Sequence, residues 1–489
     1  LDVGTTLEKV NSIGSSNTYI VRVINNSSSP VEFTLGVNVG LDYNDLSLPD
    51  NGHLLEEITD KGEVGTVVLD DISKDSLHDD GTDTFITGEY PNNYIWYSGK
   101  LWRAVSVNNE ESTVKLVTQW NMSTINYSSG SSTFAGSYME SWLNDTTVDG
   151  FLGNLREPEK FIVTDAAWDI TQTTSSTRPE SPVLYNSTIG MLNYYEYQTS
   201  YKGTDSKKGY LNNGLYWWTI TPYDSASVID VNYNGEAGSN SVTNGFGIRP
   251  SINLKSNIKI VDGNGTENDP YRLEGDNDTV SSGTLLKDRY SGEYVQFEND
   301  ENNLYRIVSH ENGIGTKITS AEPLKESGVF KTMAFGDNIN YSDTNTIGTF
   351  LNKDYLTTYV GESYSNMIED NTIWYLGEVN SGISYKLAKY IDENGTTLTT
   401  SKATAKVGLL RYGELMSGQF DIRENNTYYW LITPNSSSYL RYLHSYGSQD
   451  SSSPTSLASI KPTFNLKQNV IITGGSGTKN NPFTIELSS

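Results

Sequence analysis

The stretch Tyr216-Trp217-Trp218-Thr219-Ile220-Thr221-Pro222 returns 212 residues later as Tyr428-Tyr429-Trp430-Leu431-Ile432-Thr433-Pro434. The register then holds without insertion to Leu273 and Ile485, and 22 of the 58 aligned positions are identical. Pro250 and Pro462 fall inside it, each followed by Asn-Leu-Lys at 253–255 and 465–467. Gly263-x-Gly265-Thr266 closes one copy and Gly475-x-Gly477-Thr478 the other. Aromatic and β-branched residues in such runs suit a pleated surface, while Gly and Pro mark turns. A module written twice also carries its own control, because chemistry that belongs to the module survives in both copies.

Upstream, the repeat continues with a drifting offset. Tyr94–Tyr97 and Lys100–Val105, with Trp102 in the second run, predict a hairpin turning at Ser98-Gly99. Glu293–Phe297 and Leu304–Val308 correspond to it. Ser141-Trp142-Leu143-Asn144 matches Thr349-Phe350-Leu351-Asn352, and Ile189-Gly190-Met191-Leu192 with Glu196 matches Val407-Gly408-Leu409-Leu410 with Glu414. Apolar spacing over Ser137–Leu143 and Ile189–Tyr197 predicts helices. These limits give a first repeat over 87–275, a linker over 276–289 and a second repeat over 290–489. Residues 1–86 hold two alternating runs, Tyr19–Val23 and Val31–Val37, which predict a small β-sandwich in a block short for a complete one. Asp70–Asp83 reads as a linker. The expected class is mainly β with α+β modules: a sandwich, then two tandem repeats.

Composition narrows the function. The formal charge is −26, from 34 Lys and Arg against 60 Asp and Glu. That balance argues against nucleic acid and anionic membranes, which are held by clustered cations. There is no cysteine, so disulfides, thiolate zinc sites and cysteine nucleophiles are excluded. No apolar run is long enough to span a bilayer. Abundant Tyr, Gly, Asn, Ser and Thr with few charges point to a secreted or cell-surface protein. The leading Leu1 suggests a processed product.

The pattern Tyr-Trp-Trp-x-Ile-Thr-Pro followed by Gly-Ile-Arg-Pro-x-Ile-Asn-Leu-Lys resembles a domain of unknown function widespread in extracellular proteins of Firmicutes. The second copy departs from it at Ser459 and Lys461, where Gly247 and Arg249 stand in the first. The N-terminal block is similar to sandwiches of Gram-positive matrix-fibre and pilin-like surface proteins. The element order of the repeats is also similar to that of C-type-lectin-like domains, a fold analogy that says little of function.

The repeat then filters candidate sites. His310 aligns with Val107 and His444 with Asn232, and His53 and His78 precede both copies. No histidine is shared, no nucleophile elbow, P-loop or zinc helix occurs, and the chain is read as non-enzymatic. Asp262–Asp269 has the oxygen-rich look of a calcium loop. The second copy keeps its Gly, Thr, Asn and Pro but not its acids, so turn chemistry is the better reading, and no cofactor is expected. Trp102, Trp218, Pro222, Pro250, Trp430, Pro434 and Pro462 are read as structural. Glu196 with Arg249, and Glu414 with Lys461, are expected to form ion pairs tying the helical segment to the last strand. The loops 223–246 and 435–458 diverge most, and recognition of a glycan or host protein is expected there, at Tyr223, Asp224, Tyr233, Tyr439, Tyr442 and Tyr446. The leading expectation is a structural subunit of a surface filament, pilus or sheath. Its Leu1–Val10 segment, with Leu1, Val3, Leu7 and Val10, would complete a neighbour's sheet and give a homopolymer. An adhesin using the two loops is the alternative.

Overall fold

The computed structural model describes residues 61–201, 205–275, 280–297, 302–311, 315–377, 401–420 and 427–488. The expected sandwich strands and the Leu1–Val10 segment lie outside the described residues. Strands dominate, helices are short, and the chain is mainly β.

Each repeat builds two main sheets, and the strand order about their centres is the same in both. In the first repeat, Tyr94–Tyr97 and Lys100–Asn108 form the expected hairpin, with Tyr94 opposite Arg103. Lys100–Asn108 pairs with Val114–Thr118, which pairs with Ser251–Leu254. Tyr271–Leu273 runs parallel to Tyr94–Tyr97, and Lys259–Asp262 and Gly62–Glu63 extend the sheet beyond it. In the second repeat, Tyr294–Gln296, Leu304–Glu311, Gly315–Ser320 and Thr463–Leu466 follow the same order. The other sheet of the first repeat is centred on Trp217–Pro222, flanked by Ser227–Val231 and Gly245–Ile248. Its counterpart is centred on Tyr428–Pro434, flanked by Leu440–His444 and Leu457–Ser459.

The first expected linker is part of the first repeat. Leu77–Asp79 pairs with Asp83–Ile86, which pairs with Lys100–Asn108. The helix Val64–Asp70 and these strands bury Val64, Val68, Phe85 and Ile86. That apolar content is what binds an Asp-rich segment to the core. The second expected linker is docked as well: Leu285 bridges Ile471, and Leu286 is buried.

Helix Tyr138–Leu143 forms as expected, with the Ser137 hydroxyl accepting from the Glu140 N–H. The second helix runs only from Tyr194 to Thr199, started by a capping box between Asn193 and Glu196. Ile189–Leu192 is buried but not helical, and Gly190 bridges Ser251. Its apolar run satisfied a helical spacing because this extended chain is covered by protein on more than one side. Gly190 is needed there, since a Cβ would lie 2.3 Å from the Trp168 ring, and Gly408 faces Trp374 at 2.5 Å in the same way. Among its described residues the second copy makes no helix after Leu410. Arg411 replaces Asn193 and offers no side-chain acceptor, and Gly413 adopts φ 74°.

The repeats share a core. Leu410, Tyr412, Leu415, Met416 and Leu431 of the second pack in one cluster with Met139, Trp142 and Trp218 of the first. Trp142 Nε1 donates to Gly413 O at 2.9 Å, and the Tyr412 hydroxyl donates to Asn126 Oδ1 at 2.5 Å.

Candidate functional site

The residues read as structural occupy matching places. Trp102, Trp218 and Trp430 are buried. Trp218 Nε1 donates to Ile125 O at 3.3 Å, and Trp430 Nε1 to Met333 O at 3.0 Å. Pro222 and Pro434 each end their strand beyond a shift in register. Pro250 O accepts from the Thr118 N–H and Pro462 O from the Ser320 N–H, both at 3.0 Å.

The expected ion pairs take different partners. Glu196 is bound by Lys115, and Glu414 by Lys317 at 2.9 Å and Arg411 at 3.4 Å. Arg249 instead lies over the Trp217 ring at 4.8 Å, and Lys461 over Tyr429 at 4.9 Å. The reason is topological. Arg249-Pro250 is the hand-over between the two sheets, so residue 249 faces the Trp217 sheet while Glu196 sits over the other. Arg249 donates to Thr118 O at 2.9 Å and to Leu211 O at 2.6 Å. Burial, with Arg103 nearby, pulls the Arg249 guanidinium down to about 9. The true shared cations, Lys115 and Lys317, sit in strands where only a loose similarity connects the copies. A search confined to the constant-offset segment could not reach them.

The six residues expected to recognise a ligand divide into two groups. Tyr223 and Tyr439 are exposed at turns, their N–H groups bound to Ser227 O and to Ser436 Oγ. Asp224 caps the same turn, accepting from the Ala226 N–H at 2.9 Å, and this holds its carboxyl below the usual range. Tyr233, Tyr442 and Tyr446 instead belong to a continuous row of half-buried rings that crosses from one repeat to the other. Phe246 stacks on Tyr216 with centroids 4.9 Å apart, and Tyr216 meets Tyr233 at 5.5 Å. Tyr233 meets Tyr446 at 4.6 Å, the step between repeats. Tyr446 stacks on His444 at 4.7 Å, His444 on Tyr428 at 6.2 Å, and Tyr428 meets Tyr442 at 5.0 Å.

Backbone bonds hold this row in place. The Tyr216 N–H donates to Tyr446 O at 2.6 Å, and Phe246 bridges Ser448. His444 Nδ1 accepts from the Tyr446 N–H at 3.1 Å, and burial lowers its basicity. The Tyr442 hydroxyl lies 3.4 Å from Asp450, and burial with that carboxylate pushes it up to about 12. Tyr216 and Tyr428 stand in the repeated aromatic run of the sequence, whereas nothing in the sequence singled out Phe246 and His444 for this row.

Two clefts accompany the row. One of about 850 Å³ is lined by Lys115, Asp165, Asp169, Arg178 and Glu196. At its edge Arg178 binds Asp80 at 2.7 Å and Asp83 at 2.6 Å, so the acidic end of the expected linker Asp70–Asp83 serves an ion-pair network. Another, of about 530 Å³, brings Trp96 and Trp120 together with the closing loops of both repeats, where Asn480 donates to Asn268 at 3.1 Å. In the first closing loop, Asp262 and Asn264 accept from the N–H groups of Gly263 and Thr266. Among the described residues, no three His, Asp or Glu groups lie close enough together to hold a metal ion. No helix among them is long and apolar enough to cross a membrane.

Residues 111–256, which cover most of the first repeat, match the family described as Domain of unknown function (DUF6273). Neither the curated proteins nor the solved structures give a match.

Proposed function

We propose that this chain is a non-enzymatic extracellular protein that holds a polysaccharide along the ring row from Phe246 to Tyr442. The row itself is the supporting observation. Half-buried aromatic faces offer flat apolar area at little entropic cost, and their hydroxyl edges stay wet. Sugar rings present the matching combination of apolar C–H faces and equatorial hydroxyls. Asn232 and Asn234 lie in the turn around Tyr233, and Gln449 and Asp450 in the strand beside Tyr442, and these supply hydrogen-bonding groups. The charge of −26 disfavours the other stacking ligand, a nucleic acid.

The reading differs from two independent loop sites with additive avidity. Because Tyr233 and Tyr446 touch, one site spans both repeats. Affinity electrophoresis in gels cast with neutral polysaccharides tests it. Retardation is expected for the wild-type chain and is expected to disappear in Tyr233→Ala with Tyr446→Ala, while Tyr223→Ala with Tyr439→Ala keeps it. Equal mobility of all three in every polysaccharide would reject the reading.

A further inference from the structure

We infer that Lys317 and Asn465 become joined by an intramolecular isopeptide bond, with Glu414 carrying the proton. Lys317 and Asn465 are register partners on neighbouring antiparallel strands, so their side chains share one face. They are 2 % and 0 % exposed. Lys317 Nζ is 2.9 Å from Glu414 Oε1 and lies over the Trp374 ring at 5.6 Å. Asn465 is the anomaly: neither its Oδ1 nor its Nδ2 has a hydrogen-bond partner among the described residues. A buried, unsatisfied carboxamide forfeits the hydrogen bonds it had with water, and sequences seldom retain it without a use.

The chemistry needs nothing from outside. Glu414 takes a proton from the Lys317 ammonium, and the freed amine attacks Asn465 Cγ. The tetrahedral centre collapses to a new C–N amide as the Cγ–Nδ2 bond breaks. The departing nitrogen collects the protons and leaves as ammonium. One C–N bond forms, one breaks, and no electron is gained or lost. Strands that hold amine and carboxamide side by side supply the proximity, which is the main barrier to such a reaction in water. The product removes both the buried ammonium and the orphaned amide. Arg411, 3.4 Å from Glu414 and 3.0 Å from Asp149, then remains beside the carboxylate.

The first repeat is an internal control. Asn253 pairs with Lys115 across the strands, and Lys115 binds Glu196, so the same three residue types meet. There, however, all three line the open cleft, and the Lys115 side chain is 20 % exposed. Water solvates the ammonium, and Asn193 stands where Arg411 would be. The bond is therefore assigned to the second repeat alone.

Intact mass spectrometry of the full chain, denatured, tests this. The expected mass is lower than that of the sequence by one ammonia, and digestion yields a branched peptide joining Lys317 to Asn465. Glu414→Gln, Asn465→Ala and Lys317→Arg each restore the sequence mass, whereas Glu196→Gln keeps the deficit. A wild-type chain at its full sequence mass overturns the inference. So does a branched peptide that joins Lys115 to Asn253 in place of the other pair.

Discussion

Arg411 of the second repeat places its guanidinium 3.0 Å from the Asp149 carboxylate of the first, with side chains only 6 % and 11 % exposed. The ion pair belongs to a junction that also contains the Trp142–Gly413 and Tyr412–Asn126 bonds. Breaking a buried pair by removing one partner costs about 3–5 kcal/mol, because the other charge is left uncompensated. Arg411→Ala is therefore expected to lower stability by about 3 kcal/mol in urea unfolding. Calorimetry of the wild-type chain is expected to show the two repeats melting in one transition, since their residues share a core. Two resolved repeat transitions would contradict this.

A second junction contact carries a pH signature. Lys100 Nζ is 2.9 Å from Ser98 O, Ser291 O and Ser291 Oγ. Burial, reinforced by Arg306 and opposed by Glu293, draws the Lys100 amine down to about 7 from its ordinary 10.5. Between those values the unfolded chain holds a proton that the folded chain lacks, so stability rises with pH across that window. Below about 7 the full cost of the buried ammonium is present. Lys100→Met is expected to remove this slope. The difference in urea midpoint between wild type and variant, followed from pH 7 to 10, measures it.

Asp230 titrates with the opposite sense. Burial pushes its carboxyl up to about 6, against the Asn240 amide, which donates at 2.9 Å and favours the charged form. The folded state therefore binds a proton more readily than the unfolded chain. Its contribution is complete below 3.8 and is lost as pH rises to about 6. Asp230→Asn keeps the shape without the charge. It is expected to stabilise the chain by roughly 2–3 kcal/mol at pH 7 and hardly at all at pH 3.5, read from urea midpoints.

The opening hairpin and the Trp-x-x-Thr-Pro and Asn-Leu-Lys strands were legible in the sequence, because those runs carry the period of strands and recur at a constant offset. The expected loops 223–246 and 435–458, by contrast, hold strands Ser227–Val231, Ala237–Ser241, Leu440–His444 and Gln449–Ser452, whose divergence between the copies hid them. The helix after Ile189 was misplaced for a specific reason. Gly190-Met191-Leu192 is extended chain wedged between Trp168 and the Ser251 strand, and burial on several sides erases the period that separates helix from strand. The ion-pair partners were not legible either. The cations shared inside the constant-offset segment, Arg249 with Lys461 and Lys255 with Lys467, bind elsewhere, while Lys115 and Lys317 lie more than 70 residues before their carboxylates. The ring row was half legible. Tyr233, Tyr442 and Tyr446 stood out by composition, but their contact with one another depends on how the repeats dock, which no local pattern encodes.

The two equivalent glutamates should respond unequally to the same change. Glu414 is buried between Lys317 and Arg411, and although burial alone would raise its carboxyl, those two cations hold it below the usual range. Glu414→Gln takes the carboxylate from the buried Lys317 ammonium and leaves Arg411 to Asp149, at an expected cost of about 3–5 kcal/mol. Glu196 faces the open cleft, where its partner Lys115 can turn to water. Its remaining task is to accept the Asn193 N–H at 2.8 Å in the capping box, which a glutamine can still perform. Glu196→Gln is therefore expected to cost about 1 kcal/mol or less. Melting temperatures of the two variants, recorded side by side at pH 7, decide the matter. Equal losses would mean that exposure of the pair does not govern its worth.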